Sequence, residues 1–219
     1  MLSPIYTLRE GVSRQFTTYN PATRDKVTVM APGDRKNFVD SDKTGIITRM
    51  WFTFPGWFWQ HWDPECKVDT TILRKLILRI YWDGNDFPSV EAPMGDFFGI
   101  GHCEYRHYVS QYLGMSSGGF YSYFPMPFEK GVRIEIENLH DTVTTLIFMN
   151  INYQELNSLP ADAGRFHCMF NSGYNPGTEP VTVLKAEGRG HFAGCCLSMQ
   201  GKNTNYISYL EAPEYIYIC

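Results

Sequence analysis

Three carboxylates fall where a charged group is costly. Glu91 and Asp96 lie in "PSVEAPMGDFFGIGH", a Gly- and Pro-interrupted stretch of otherwise apolar residues, and Glu211 lies in "YLEAPEYIYI", among aromatic and aliphatic neighbours. A carboxylate in such surroundings must be paired or put to use, as a nucleophile or a general acid. The plainer reading is that each accepts hydrogen bonds from nearby backbone amides. Histidine offers less: His102 and His107 are the closest pair, and His61, His140, His167 and His191 are scattered. No metal site and no cofactor is expected from them, because an isolated histidine is more often hydrogen-bonded structure than a ligand. Cys168 follows His167 directly, but neighbouring strand residues point to opposite faces, so a nucleophile and base pair is not expected there. The sequence contains no P-loop, no dinucleotide-binding glycine fingerprint and no G-x-S-x-G elbow, which removes three large enzyme classes.

The elements that must hold these residues read as strands. "GVRIEIEN" alternates Val132, Ile134 and Ile136 with Arg133, Glu135 and Glu137, and "LIFMNINY" sets Ile147, Met149, Ile151 and Tyr153 against Asn150 and Asn152. That is the period-two pattern of a sheet with one buried face. "LILRIYWDG" alternates likewise and ends on an Asp83-Gly84 turn. Further β-rich runs are "KVTVMA", "GIITRMWFTF", "GFYSYFPM", "PVTVLKA", "GHFAGCCLSM" and "YISYLEAPEYIYI". Short helices are expected only around residues 67–75 and 104–113. With 219 residues and 16 % aromatic side chains, the expectation is one all-β domain, a sandwich or jelly roll.

A formal charge of -4, without any basic run, speaks against nucleic acid as a partner. No apolar stretch approaches the roughly 20 residues of a membrane span, and "MLSPIYTLREGVSRQF" lacks the layout of a signal peptide, so a cytoplasmic location is expected. The six cysteines (Cys66, Cys103, Cys168, Cys195, Cys196, Cys219) have no regular spacing and read as reduced, with the adjacent Cys195 and Cys196 expected to be buried thiols.

Taken in order, "GIITRMWFTF", "LILRIYWDGNDFPSVEAPMGDFFGIGH", "YFPMPFEKGVRIEIEN", "AGRFH", "GRGHFAGCCLSM" and "YLEAPEYIYI" resemble the successive motifs of one glycoside hydrolase family. It was long classed as a domain of unknown function, and its bacterial type member is an α-D-fructofuranosidase that degrades difructose dianhydride I. The resemblance runs from Gly11 to the end of the chain. It implies a jelly roll like those of double-jelly-roll viral capsid proteins, assembly into homotrimers or hexamers, and no metal. It also implies retaining hydrolysis of α-D-fructofuranosides or α-D-arabinofuranosides by two glutamates.

By the same resemblance Glu211 is the nucleophile, in "LEAPE" where the family has Leu-Glu-Gly-Asp-Glu. Arg49, Trp51, Glu91, Asp96 and His102 are the expected substrate-binding residues. Cys103 departs from the family, which commonly has glycine there. A retaining enzyme needs an ionised carboxylate at the anomeric carbon and a protonated one on the leaving oxygen, about 5 to 5.5 Å apart. The family's acid/base lies in a Gly-Thr segment beyond the motif of Glu211, so the expectation is that these residues are the front part of a longer protein, with residues 206–219 opening a second jelly roll. The alternative is a jelly-roll assembly or glycan-binding protein without catalysis.

"TRMWFTFPGWFWQHW" concentrates four tryptophans within residues 48–62. Alternation should put Trp51 opposite Phe52 and Phe54, while Trp57, Trp59 and Trp62 should occupy a loop and serve a subunit interface, the core or sugar stacking.

Overall fold

The computed structural model describes residue 8 and residues 10–54, 69–175, 177, 179–203, 205 and 207–218. The expectation for Trp57, Trp59 and Trp62 therefore lies outside the described residues, as do Cys66 and Cys219.

Among the described residues, alternating side chains build thirteen strands: β1 (Val12–Thr17), β2 (Thr28–Met30), β3 (Arg35–Ser41), β4 (Gly45–Thr53), β5 (Leu76–Trp82), β6 (Val90–Pro93), β7 (Tyr108–Val109), β8 (Leu113–Ser116), β9 (Gly119–Ser122), β10 (Met126–Phe128), β11 (Val132–Asn138), β12 (Thr145–Glu155) and β13 (Cys168–Met169). They form two sheets. The larger runs β1-β12-β4-β9-β8-β7, with β10 also on β4 and β2 on β12; the smaller runs β13-β6-β5-β11-β3. Pairing is antiparallel except between β13 and β6.

The two sheets make a sandwich because each is apolar on one face. β4 and β12 supply Ile47, Met50, Phe52, Ile147, Met149 and Ile151 from one side; β5 and β11 supply Leu78, Ile80, Trp82, Val132, Ile134 and Ile136 from the other, all buried. Trp82 stacks on Phe128 across the core, 6.5 Å between centroids, and its indole N–H donates to the Phe166 carbonyl at 2.7 Å, so the one polar atom of the ring is satisfied. Trp51 is half-buried while Phe52 and Phe54 are buried, as alternation requires.

Turn chemistry fixes the register. Asp83 and Gly84 are both left-handed (φ 59° and 79°), with the Asn85 N–H closing on the Trp82 carbonyl at 3.1 Å. Asp83 is also a tie: its Oδ1 accepts the backbone N–H groups of Glu129 and Lys130, at 2.6 and 2.8 Å, and its Oδ2 accepts from Arg165 Nε at 2.6 Å.

Five sequence expectations need correction. Residues 104–113 are not helical: Ser110 Oγ accepts the Leu113 N–H at 3.0 Å, a tight turn that joins β7 to β8. Of the helix expected around 67–75, the described residues form only α1 (Ile72–Lys75): Asp69 Oδ1 accepts the Thr71 N–H at 3.0 Å in a turn that precedes it, and Leu76 then takes the extended backbone of β5 (ψ 115°). A second four-residue helix, α2 (Met94–Phe97), was not foreseen. Finally, "PVTVLKA", "GHFAGCCLSM" and "YISYLEAPEYIYI" form no strand among the described residues, and Cys195 and Cys196 are exposed free thiols rather than buried ones. A β pattern satisfies its backbone groups only on a neighbouring strand, and beyond β13 no neighbour pairs with these runs.

Candidate functional site

Asp96 sits in α2, directly after β6, where the chain turns at Pro93. Its side chain is 13 % exposed, and Arg74 Nε of α1 stands 2.8 Å from Asp96 Oδ2. The N–H is not aimed at the oxygen, so neither atom gains a hydrogen bond from this approach; it is a contact of charges. Burial pushes the Asp96 carboxyl above the ordinary aspartate range, against the pull of Arg74 and, more weakly, of His102. Arg74 also donates from Nη2 to the Gly101 carbonyl and lies over the Phe170 ring, 5.1 Å from its centroid. One guanidinium thus fastens α1 and α2 to the loop that carries His102, Cys103 and Glu104.

That loop borders a pocket of about 370 Å³ lined by His102, Glu104, Met199, Gln200, Asn203 and Tyr209, with Gly201 beside them. The Tyr209 hydroxyl reaches the Met199 carbonyl at 3.5 Å. Its lining of amides, carboxylate, imidazole and phenol suits a small polyhydroxylated ligand. Glu104 is held by Arg106, Nε to Oε2 at 3.0 Å. Tyr209 belongs to a 3₁₀ turn, Ser208–Glu211, that ends on Glu211, and Glu211 is exposed.

The expected site residues divide among three places. Of these six, His102 alone lines the pocket; Asp96 lies behind the same loop, against Gly101, and Glu211 ends the turn that supplies Tyr209 without lining the pocket itself. Glu91 is elsewhere: on β6 it alternates with buried Val90 and Ala92, points out of the small sheet and pairs with Arg79 Nε at 2.6 Å. Arg79 is shared with Glu137 at 2.6 Å, so Glu91 is part of an ion-pair ladder. Arg49 and Trp51 point out of the large sheet from β4, with Arg49 Nη1 at 3.4 Å from Asn152 Oδ1. None of these three lines the pocket. Glu104, Gln200, Asn203 and Tyr209 were not singled out in the sequence. They lie in no strand: Tyr209 falls in the β-rich run "YISYLEAPEYIYI" and Glu104 opens the stretch expected to be helical, and neither expectation marks a side chain for a pocket.

A family model described as GH172 domain-like matches residues 20–151. The chain belongs to that family. It is accordingly glycoside hydrolase-like, and the GH172 match spans the strands from β2 into β12, including Arg49, Trp51, Glu91, Asp96 and His102. Among curated proteins nothing matches this GH172 chain. No helix among the described residues is long and apolar enough to cross a membrane, and no group of metal-ligating side chains occurs among them.

Proposed function

We propose that the protein acts in the retaining hydrolysis of α-D-fructofuranosides or α-D-arabinofuranosides, with Glu211 as the nucleophile. The observation that carries this reading is the position of Glu211 at the end of the turn that gives Tyr209 to the polar pocket, on a chain of the GH172 domain-like family. Glu211 attacks the anomeric carbon and forms a glycosyl ester while the bond to the leaving oxygen breaks; that oxygen takes a proton from a second carboxyl group, and water then cleaves the ester. Asp96 acts through Arg74 as a positioning residue for the loop of His102 and Glu104. Assembly into trimers or hexamers belongs to the same proposal.

The test is turnover of 4-nitrophenyl α-L-arabinofuranoside, α-D-arabinofuranoside and a matching fructofuranoside by the wild type, Glu211→Gln and Glu211→Gly. Wild-type cleavage that disappears in Glu211→Gln, with azide restoring cleavage in Glu211→Gly, supports the assignment. Wild-type turnover in Glu211→Gln refutes it.

A second reading, glycan binding without catalysis, is favoured by the exposure of Glu211, which leaves its carboxylate in water. It predicts no cleavage of any furanoside at any pH.

A further inference from the structure

The strands at the edges of the two sheets are guarded unequally. β7 and β13 have two residues each, too few to hold a neighbour. β2 and β10 have three, β2 with its Val29 carbonyl taken by Lys36 Nζ at 2.6 Å and β10 with a central proline, Pro127. β3 is longer, but it carries Arg35, Lys36 and Asp40, and its pairing with β11 shifts register between Ile134 and Glu135. Short strands, charges, prolines and bulges all keep an edge from pairing with another chain. β1 is the exception. Its six residues, VSRQFT, pair with β12 in unbroken register from Val12–Glu155 to Thr17–Asn150, without proline or lysine, and Glu155 matches its one charge, Arg14, at 3.0 Å. Among the described residues no strand pairs with the other side of β1.

The rim of the sandwich is open at the same place. Arg14 lies opposite Tyr153 and Phe16 opposite Ile151, both of which are buried in the core, so Val12, Arg14 and Phe16 share the inner face. Phe16 stacks on Tyr153 with 4.5 Å between centroids, whereas Val12 is 50 % exposed. An added strand would cover both.

The chain itself carries a strand pattern with nothing beside it. After the turn that ends on Glu211, residues 212–218 continue as exposed chain, starting from an extended Ala212 (ψ 139°). Tyr215 and Tyr217 stack, 6.5 Å between centroids and 13° from parallel, as residues two apart do on one side of a strand. Ile216 and Ile218 are 76 % and 91 % exposed and take the other side. A run that is apolar on both faces is the pattern of a strand covered on both.

Reach separates this tail from its own β1. The turn of Tyr209 lies beside the His102 loop, which leads into β7, at the opposite end of the large sheet from β1. Five strand spacings span about 24 Å, and the seven residues of the tail extend to about 24 Å, so the crossing would use its whole length. A second copy has no such limit.

We propose that residues 214–218 add as an antiparallel strand to the free edge of β1 in a second copy of the chain. Ile216 and Ile218 continue the inner face past Phe16 and Val12, Tyr215 and Tyr217 lie outside beside Ser13 and Gln15, and main-chain hydrogen bonds hold the pair. The antiparallel direction brings Glu214 to the Thr17 end of β1. There Thr18 Oγ1 donates to the Lys26 carbonyl at 2.9 Å, and Arg24, Asp25 and Lys26 leave one positive charge in excess. Tail and edge are different patches, so the contact runs head to tail, the kind that closes rings such as a trimer. It does not depend on the catalytic reading.

The experiment joins sedimentation velocity of the full chain to fluorescence anisotropy of a labelled synthetic peptide, EAPEYIYI, with the sequence of residues 211–218. The wild type should sediment above its 25.2 kDa monomer. The double variant Tyr215→Pro, Ile216→Pro should return it to the monomer: adjacent amides point to opposite sides, so one of the two prolines always removes a ladder donor. Both lie in the exposed tail and leave the sandwich intact. Excess peptide should dissociate the wild type. The peptide should also bind the double variant, whose β1 is free, and adding Val12→Lys should weaken that binding about tenfold. A peptide with the same two prolines should not bind. A monomeric wild type, an assembly that persists in the double variant, absence of peptide binding, or binding that Val12→Lys leaves unchanged each overturns the proposal. Glu211→Gln should assemble like the wild type, so a failed hydrolysis assay and a failed strand contact are told apart.

Discussion

Arg74 Nε stands 2.8 Å from Asp96 Oδ2 beneath the loop that carries His102, and burial nonetheless keeps that carboxyl harder to ionise than an ordinary aspartate. The sign follows from linkage. A carboxyl whose folded pKa is raised contributes stability below its ordinary value of 3.8, and that contribution is lost as the pH rises through the folded value. Asp96→Asn resembles the protonated form, so it should gain on the wild type as the pH is raised from below 3.8 toward neutrality. Urea denaturation at acidic and neutral pH measures this. A variant that instead falls behind at neutral pH would show that the attraction to Arg74 outweighs burial.

Asp83 has the opposite sign. Burial raises its pKa, but the Lys130 N–H, Arg165 and the Glu129 N–H together outweigh burial and hold it below 3.8. Its contribution is present above 3.8 and is lost as the pH falls through the folded value. Asp83→Asn keeps a residue that tolerates the left-handed turn yet loses the charge, and should cost about 1 to 2 kcal/mol at neutral pH. The gap to the wild type should close on acidification; a gap constant with pH would point to shape rather than charge.

Tyr105 packs its ring against Phe120, 5.6 Å between centroids, and its buried hydroxyl has no hydrogen-bond partner among the described residues. Burial also pushes its pKa upward. Tyr105→Phe removes an unsatisfied oxygen and keeps the ring, so the melting temperature should rise, by an amount corresponding to about 1 kcal/mol. A lower melting temperature would mean that the hydroxyl has a partner in solution.

Beyond β13 the chain offers exposed backbone without ladder hydrogen bonds, and Val181, Val183, Leu184, Phe192 and Leu197 are exposed along it. Trypsin should cut first at Lys185, Arg189 and Lys202, well before Arg79 or Arg133, whose strands are paired on both sides. Mass spectrometry of a brief digest reads the order. Resistance at those three sites would mean that a partner covers the segment.

Much of the sandwich was legible because its strands carry their own burial pattern. Val132 to Glu137 and Ile147 to Tyr153 alternate with a period of two, and that period alone assigns each residue to the core or to the outer face. Trp51 opposite Phe52, and the Asp83-Gly84 turn, were fixed in the same local way. The family too was readable from linear motifs.

Pairing and proximity were decided only by the tertiary structure, since hydrogen-bonded neighbours and ion pairs join residues far apart in the chain. "PVTVLKA" carries β-branched residues like the paired runs but has no strand beside it among the described residues, so the same local preference yields no sheet. Glu91 and Asp96, five positions apart, part company because β6 turns Glu91 outward to Arg79 while α2 turns Asp96 toward Arg74. The free edge of β1 is likewise a property of the sheet, set by which strands lie side by side.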